Sequence, residues 1–545
     1  MVGVSLTCLV VNSFERTVVL DEIGTQNAHI FSSMSTTADL SPSDITIRPS
    51  QRPSINHLPV ELLSHISCLA ILRYNDGDMG FPQLDFARRV LCGVSSLWRS
   101  IVVSLPELWT TIVNFANIPY HWSTVENWIP LSHNLPLDLV LTRSRHVPPD
   151  ELEGAYVQTM LGLAIPHFPR LRRLHVDVHF SSSLPSIENH FVWCMPSLVS
   201  LTLQCDLDDG PYKEHCGFDG VSSSFSLLSQ RSPLKQFSCP LLKTMIVDGE
   251  NFRYICQQRP EWTNYLDNLK ELTVSHFVEN EDIAVHPLEI DDVVDFLEYL
   301  PKLYSLTFED VDFDFFPSQP PNQFPLSNVG CLELKDLDGK LLTDLLYHRD
   351  WDNLDIVMIT NCDLEDEHIF PLFCQDLYLD TIDVDGHLPS LLQSWNGITV
   401  HFTDCPGYDD AVLETLGSVN PNDSSRFNAS WLKEITLTRC SNFSIEALKR
   451  LVERRNRTVD YADPEWWKKV EDTELDSIIV EGYGSDLSTA DRQWFESHLR
   501  EFFWNGVGCC RGTLFFCNFD QHHIDQSLRS LTFGFVDFES VIIYI

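Results

Sequence analysis

A short apolar pattern that recurs from residue 169 onward constrains the fold more than any other feature of this chain. Each copy reads Leu-x-x-Leu-x-Leu, with Val, Ile, Met or Phe replacing Leu at some positions. Successive copies most often start 25 to 27 residues apart, and the longer steps hold insertions or degenerate copies such as Gly397-x-x-Val400-x-Phe402. Such a period predicts a repeat array. The clear copies are Leu171-x-x-Leu174-x-Val176, Leu198-x-x-Leu201-x-Leu203, Leu242-x-x-Met245-x-Val247, Leu269-x-x-Leu272-x-Val274, Leu303-x-x-Leu306-x-Phe308, Val329-x-x-Leu332-x-Leu334, Leu354-x-x-Val357-x-Ile359, Leu379-x-x-Ile382-x-Val384 and Leu432-x-x-Ile435-x-Leu437.

Within each copy, apolar and polar residues alternate as in a short β-strand with one buried face. A lone strand of this kind cannot bury its apolar side, so neighbouring copies must stack. One copy continues as Leu354-x-x-Val357-x-Ile359-x-x-Cys362-x-Leu364, which closely resembles the leucine-rich repeat, including its Asn/Cys position. The resemblance implies a curved solenoid of short parallel strands.

The outward positions of the repeats, the third and fifth of the motif, are expected to line the concave face of this solenoid. This face is the predicted target-binding surface, and its candidate residues are Arg173, His175, Glu271, Thr273, Glu333, Ile356, Met358, Asp383 and Glu434. Most neighbouring copies place Thr, Ser or Glu where one copy has Ile356 and Met358. We interpret these two as an apolar hot spot for a partner, or as a patch covered by an insertion or by the C-terminal part of the chain.

Acidic residues cluster directly after the strands, which in a stacked array places them along one rim. The clusters are Asp206/Asp208/Asp209, Glu279/Glu281/Asp282, Glu309/Asp310/Asp312/Asp314, Asp336/Asp338 and Asp363/Glu365/Asp366/Glu367. The rim is interpreted either as a surface that steers a basic partner or as a solvated edge that keeps the protein soluble.

A different pattern precedes the repeats, where two stretches with helical spacing of apolar residues follow one another. Pro59 suits the first turn of a helix, and Glu61 complements its positive N-terminal end. The order Leu58-Pro59-x-Glu61-Leu62-Leu63-x-x-Ile66, then Val94-Ser95-x-x-Trp98-Arg99, then Leu105-Pro106-x-Leu108-Trp109, closely resembles the F-box, particularly the F-box-like modules of mushroom-forming fungi.

The F-box resemblance implies three short helices that dock on a Skp-type adaptor of a cullin-based ubiquitin ligase. The adaptor-binding candidates, which contribute either to docking or to the core of the module, are Leu58, Pro59, Leu62, Ile66, Val94, Trp98 and Trp109. Residues 73–85 lengthen the connection between the first two helices beyond the family pattern, and their Asp, Gly and Pro content predicts a loop.

The predicted fold is α+β: a small helical module followed by an α/β leucine-rich-repeat solenoid with a helical C-terminal cap. The predicted segments are a flexible lead-in at 1–53, the helical module at 54–112, connecting helices or linker at 113–165, the array at 166–445 and the capping region at 446–545. In the last segment, Ser488-x-x-Asp491 is a capping-box signature, and Trp466, Trp467, Trp494 and Trp504 are expected to cover the end of the array.

The cysteines of the chain divide by position. Cys362, Cys405 and Cys440 each follow the last apolar strand residue by three, which predicts packing at the turn. The remaining candidate cluster, Cys509, Cys510, Cys517, His522 and His523, has no paired zinc spacing. The sequence therefore predicts no metal site and no cofactor.

The chain carries no phosphate-binding loop, nucleophile elbow or zinc-protease motif, so we expect a non-catalytic protein. Its net charge of −41 disfavours a nucleic-acid partner, and no apolar run is long enough to span a membrane. Sixteen dispersed cysteines favour a cytoplasmic or nuclear location.

Three functions therefore stay open. The first is a substrate receptor that links an unknown target protein to the Skp-type adaptor and cullin complex. The second is an F-box-like scaffold without a role in ubiquitination. The third is a secreted or surface leucine-rich-repeat recognition protein, favoured by N-x-S/T sequons at Asn422, Asn428, Asn442 and Asn456.

Overall fold

A computed structural model describes most of the repeat region and the helices before it. The described residues are 8–9, 58–72, 81–117, 122–144, 147–187, 194–209, 238–257, 266–277, 288–313, 328–347, 351, 354–364, 372–383, 387–420, 423–456, 474–483, 486–506 and 542–543. The lead-in predicted for 1–53 therefore lies outside the described residues, apart from Cys8–Leu9. Of the loop predicted at 73–85, residues 73–80 also lie outside, and a helix starts at Phe81.

Fourteen strands form one open, fully parallel sheet in which neighbours follow the order of the chain, β2 to β12 and then β15 to β17. Two short antiparallel pairs, β13 with β14 and β1 with β18, lie apart from it. The strands are β1 Cys8–Leu9, β2 Thr111–Phe115, β3 Leu137–Thr142, β4 Leu171–Phe180, β5 Ser200–Leu207, β6 Thr244–Asp248, β7 Glu271–Phe277, β8 Ser305–Val311, β9 Cys331–Lys335, β10 Ile356–Thr360, β11 Asp376–Asp380, β12 Thr399–Thr403, β13 Val419–Asn420, β14 Asp423–Phe427, β15 Glu434–Thr438, β16 Ser477–Tyr483, β17 Glu501–Gly506 and β18 Ile542–Ile543.

Twelve α-helices are described, and four short 3-10 helices accompany them. The α-helices are α1 Val60–Leu72, α2 Phe81–Val94, α3 Ser96–Val103, α4 Trp122–Trp128, α5 Glu153–Ala164, α6 Gly249–Gln257, α7 Ile290–Glu298, α8 Gly339–Tyr347, α9 Leu388–Ser394, α10 Asp410–Leu416, α11 Ile445–Arg455 and α12 Thr489–His498. The 3-10 helices are Pro106–Trp109, Ile129–Ser132, Ile165–Arg170 and Ser181–Ser183. No helix in the described part of the chain is both long and apolar enough to cross a bilayer.

The chain divides into two compact units. Ile66–Arg511 contains the whole parallel sheet and helices α2 to α12. The second unit, Met1–His65 with Gly512–Ile545, contains β1, β18 and the first residues of α1. Both apolar clusters and the outward face of the sheet lie in the first unit, whereas Leu58, Pro59 and Leu62 lie in the second.

The alternation in each repeat explains how the sheet holds together. Val357 and Ile359 of β10 are fully buried and align with Leu332 and Leu334 of β9, so apolar side chains form continuous rows across the strands. Helices α5 to α12 pack on this face and complete one extended apolar core. The prediction of an α+β chain with a stack of short parallel strands is confirmed. Burial of one row against the next stabilises each added repeat.

One backbone feature recurs at the end of the strands. Eight repeats place a residue with positive φ two positions after the last apolar residue of the repeat motif, and these residues are His276, Asp310, Asp336, Asn361, Thr381, Asp404, Arg439 and Gly482. Several of their amides donate to the last residue of the next strand, as Asn361 does to the carbonyl of Asp380 at 2.9 Å. The left-handed turn therefore extends the inter-repeat hydrogen-bond ladder beyond the sheet.

The sheet begins earlier and ends later than predicted. The segment 113–165, expected to hold connecting helices or a linker, contains β3 and most of β2. The capping region contains β16 and β17 in addition to its helices. In β2 and β3 the pattern lacks its leading Leu, while β17 places Phe502 and Trp504 at the strand positions, so these strands depart from the repeat signature.

One predicted copy is displaced by five residues. The strand that follows β10 is β11, whose Leu377 and Leu379 align with Val357 and Ile359. The motif here is Cys374-x-x-Leu377-x-Leu379, with a buried cysteine in the leading position. The copy proposed at Leu379, Ile382 and Val384 is therefore wrong, because a leading Cys did not satisfy the Leu pattern.

Candidate functional site

The helices that precede the repeats pack on the sheet face opposite the extended core. We call α1 to α3 with the 3-10 helix Pro106–Trp109 the helical module. Its Ile71, Leu84 and Val102 form a second apolar cluster with Val113 of β2 and Val140 of β3. The first two strands of the sheet are therefore covered on both faces.

Trp109 and Arg88 tie the helical module to the sheet. The Trp109 indole N–H donates to the carbonyl of Val102 at 2.9 Å, and its ring lies 5.7 Å from that of Trp128. The buried Arg88 guanidinium lies over both indole rings and donates to the carbonyl of Thr111 at 2.7 Å. These contacts fix the end of the module against β2.

The structure divides the seven predicted adaptor-binding residues into two groups. Trp98 and Trp109 are buried, 3% and 4% exposed, so they belong to the core of the module. Ile66 and Val94 are half-buried, and Leu58, Pro59 and Leu62 are exposed. Only the exposed group is placed to contact another protein without unfolding the module.

Further large apolar side chains are exposed on the helical module. Val60 and Leu62 lie at the start of α1, and Leu69, Phe86 and Val90 lie on the remainder of the module. Phe86 was not among the predicted residues, although its spacing of four from Val90 is the signal that could have revealed it. Exposed apolar side chains such as Leu69, Phe86 and Val90, all in the unit that contains the sheet, are typical of a protein-binding surface.

The second candidate surface is the face of the sheet that carries the outward residues of each strand. Of the predicted target-binding residues, eight occupy outward positions of described strands: Arg173, His175, Glu271, Thr273, Glu333, Ile356, Met358 and Glu434. Asp383 does not, because it follows β11 and belongs to the turn. The outward residues of β11 are Asp376, Tyr378 and Asp380.

Tyr378 was missed because the copy containing β11 was placed five residues too late. Its ring stacks on that of His401 in β12, with ring centroids 4.2 Å apart and planes within 3° of parallel. Burial lowers the pKa of His401 to about 4, so its imidazole is neutral near pH 7. Met358 aligns with Tyr378 on the other side, so the predicted apolar pair is continuous with this stack.

Several carboxylates along the predicted rim form ion pairs or hydrogen bonds with other residues of the chain. Asp206 pairs with Arg143, and Asp310 contacts the His276 ring nitrogen at 2.9 Å. Asp209 accepts hydrogen bonds from the Ser182 amide at 2.8 Å and from its hydroxyl at 2.7 Å. For these residues the rim is a hydrogen-bonded edge. The cluster Glu279/Glu281/Asp282 and the residues Glu365, Asp366 and Glu367 lie outside the described residues.

The three turn cysteines lie where packing was predicted. Cys362, Cys405 and Cys440 are buried, and their thiols lie 3.3 to 3.6 Å from strand carbonyls that include Leu379 for Cys405 and Phe402 for Cys440. Burial raises the pKa of the Cys362 thiol to about 11, so it stays protonated and can donate.

In the described part of the chain, no three His, Cys, Asp or Glu side chains are grouped so as to hold a metal ion. The cluster from Cys509 to His523 lies outside the described residues, as do Trp466 and Trp467. Among the predicted capping residues that are described, the Ser488 hydroxyl accepts from the Asp491 amide at 3.1 Å, and Trp504 is buried on the core face of β17.

Neither a scan against models of protein families nor a search of curated proteins finds a match to this chain.

Proposed function

We propose that this chain is a non-catalytic substrate-recognition adaptor. In this proposal the helical module docks, as an F-box does, on a Skp-type adaptor of a cullin-based ubiquitin ligase, and the repeat array binds a target protein. The observation that carries it is the exposure of Leu69, Phe86 and Val90 on a module whose own apolar cluster is filled by other residues.

Exposed apolar side chains of this kind suit the anchor-in-groove mode of protein recognition, in which a few large side chains supply most of the affinity. The segment around Leu58, Pro59 and Leu62 resembles the F-box. This resemblance implies that the groove belongs to a Skp-type adaptor. A partner bound there leaves Trp98 and Trp109 undisturbed in the core of the module.

The proposed mechanism is proximity. The module holds the ligase while the array holds the target, which raises the effective concentration of target lysines near the conjugating enzyme. Catalysis then belongs to the partners, and the chain itself needs no cofactor. A scaffold without a role in ubiquitination would use the same two surfaces, so target turnover must be measured separately from adaptor binding.

The proposed location is the cytoplasm or the nucleus. Of the four sequons, Asn428 is buried and its amide donates to the Thr415 carbonyl at 2.9 Å, which leaves no room for a glycan in the folded chain. The amide of Asn456 donates to the carbonyls of Leu475 and His498. These contacts weigh against the secreted reading, which stays testable through the intact mass and the free-thiol count of the purified protein.

The test is co-purification of the full chain with a Skp-type adaptor. Leu62→Asp and Leu69→Asp each place a charge on an exposed position and should weaken binding at least about tenfold, as expected for an interface anchor. The matched control is Val419→Asp in β13, since Val419 is 50% exposed, as is Leu62. Trp98→Ala is a poor test, because loss of its buried indole would unfold the module.

The proposal fails if both variants retain the adaptor as well as the control does while their thermal unfolding matches that of the wild type. Adaptor binding without any change in target stability would instead support a scaffold that binds the adaptor but does not promote ubiquitination.

A further inference from the structure

The outward face of the sheet from β10 onward carries a continuous row that is mostly apolar. We call it the apolar row, and it consists of Met358, Tyr378, His401, Thr436, Ile479 and Phe503 in β10, β11, β12, β15, β16 and β17. With strands about 4.8 Å apart, the row is about 24 Å long, the length of about seven extended residues. Its members are half-buried or exposed in the described structure.

Carboxylates flank the apolar row on both sides. Asp376, Glu434 and Glu501 lie at the outward positions that precede it, and Asp380 and Glu481 at those that follow it. No Lys or Arg occupies an outward position in the described sheet strands from β10 to β17. This half of the face therefore combines an apolar centre with a mostly negative border, in which Asp380 accepts a hydrogen bond from the Thr381 hydroxyl and lies near Arg439.

In the earlier strands, two outward carboxylates are paired with cations. Arg172 donates to Asp138 at 2.9 Å, and Lys335 lies 2.8 Å from Glu333. Glu271 accepts a hydrogen bond from the Thr244 hydroxyl at 2.9 Å. The excess negative charge on this face is thus concentrated beside the apolar row.

The carboxylates beside the apolar row also act on one another. Burial raises the pKa of Glu434, and the neighbouring charges of Glu501 and Asp376 raise it further. Burial raises the pKa of Asp376, a hydrogen bond from the Thr399 side chain partly offsets this, and the charge of Asp355 raises it further. A bound cation would relieve this repulsion.

Resting on the proposal that the array holds the target, we propose that the apolar row binds an extended, arginine-containing segment of that target. A guanidinium group stacks on aromatic rings such as Tyr378 and pairs in a planar, bidentate manner with carboxylates such as Asp376 and Glu434. Charge complementarity selects this occupant, since an acidic segment or a nucleic acid would be repelled by the same border.

The experiment measures fluorescence anisotropy of labelled peptides with the full chain. The probes have about nine residues, enough to span the row. They alternate glycine with arginine, with lysine or with glutamine. We expect the arginine peptide to bind most tightly and the glutamine peptide not to bind, with affinity falling as salt rises.

Three variants locate the site. Asp376→Asn with Glu434→Gln should weaken the arginine peptide about five- to tenfold, because two exposed charge pairs are lost. Tyr378→Ala should weaken it by about fivefold and should reduce the preference for arginine over lysine. The matched control, Glu446→Gln with Glu453→Gln, removes two exposed carboxylates from α11 on the core side of the sheet and should change the affinity by less than about twofold.

Equal losses in the α11 double variant and in Asp376→Asn with Glu434→Gln would mean that the net charge of the chain merely attracts any basic peptide, which overturns the proposal. So would equal binding of the arginine and glutamine peptides, or no binding at all, as expected if another part of the chain covers the row. Adaptor co-purification with the same variants keeps this test separate from that of the helical module. Peptide binding without adaptor binding supports the apolar row alone.

Discussion

The two ends of the parallel sheet both carry apolar side chains at the same outward position, but these side chains are buried at one end and exposed at the other. In β2 and β3, Val113 and Val140 are buried beneath the helical module, 6% and 0% exposed. In the equivalent position of β17, Phe503 is 45% exposed. An apolar outward residue is therefore core at one end of the sheet and surface at the other, and its residue type does not distinguish the two.

The apolar pair of β10 is part of a larger apolar surface. Ile356 and Met358 belong to the uncovered part of the described face, and Met358 continues into the Tyr378 and His401 stack. The relevant feature is a row across six strands rather than one unusual repeat.

The largest effect is expected where the face is covered. Val140→Asp would bury a carboxylate in the apolar cluster under the helical module and should lower the free energy of unfolding by at least about 3 kcal/mol. Phe503→Asp introduces the same charge at the other end and should cost less than about 1 kcal/mol. Urea unfolding of both variants measures the difference, and equal losses would abolish the distinction between the two ends.

Asp248 offers a second test on a covered outward position. It is buried at the end of β6 and accepts a hydrogen bond from the Asn251 amide at 2.6 Å. Burial raises the pKa of its carboxyl to about 7, from an ordinary value of 3.8. Between these pH values the folded chain holds a proton that the unfolded chain has released, so this group makes stability fall as pH rises.

Asp248→Asn should remove that contribution, which amounts to at most about 1.4 kcal/mol per pH unit between the two pKa values. The measurement is the free energy of unfolding of both proteins from about pH 4 to about pH 7. Parallel pH profiles for the wild type and the variant would show that the carboxyl titrates normally and is not effectively desolvated.

A smaller effect on stability, but a specific one on binding, is expected in the apolar row. Met358→Lys adds a positive charge next to Tyr378 and should weaken the arginine peptide about fivefold through like-charge repulsion while leaving stability within about 0.5 kcal/mol. Met358→Leu, which keeps an apolar side chain, is the matched control and should bind as the wild type does. An unchanged affinity in the Met358→Lys variant would show that the peptide does not bind next to β10.

The smallest effect concerns the turn that follows the uncovered strands. Thr381 has a β-branched side chain at φ 56°, where the equivalent residue one repeat earlier is Asn361. Thr381→Asn should therefore stabilise the chain by about 0.5 to 1 kcal/mol, because Asn tolerates the left-handed conformation better. Thr436→Asn, within β15, should instead destabilise it slightly. If both variants lower the free energy of unfolding, the backbone at Thr381 is not strained in the way proposed.

Part of the fold could be predicted because buried strand positions are occupied by apolar residues. The spacing of Leu332 and Leu334, or of Val357 and Ile359, follows from the pleat of a strand with one buried face, and the structure has strands at these positions. The prediction was wrong at Leu379, Ile382 and Val384, where a buried Cys374 replaces the leading Leu. It also stopped before β16, although Leu475, Ile478 and Val480 continue the pattern.

The candidate surfaces were less predictable than the core. The F-box-like motif includes Trp98 and Trp109 as well as Leu58 and Leu62. The two tryptophans are buried, whereas the two leucines are exposed. Tyr378 and His401 lie 23 residues apart in the chain and become a stacked pair only through the register of β11 and β12. A sequence motif identifies such residues but does not determine which face of the fold each one occupies.

By itself, the sequence determined the repeated parallel strands, because an alternating apolar pattern can be buried only by stacking one copy on the next. It also determined the negative charge of the chain and the capping signature at Ser488. Only the tertiary structure decided which outward residues are covered, since Val140 and Phe503 occupy equivalent positions and differ in what packs over them. The reason is physical: local spacing sets the direction of a side chain, whereas its exposure depends on segments distant in the chain.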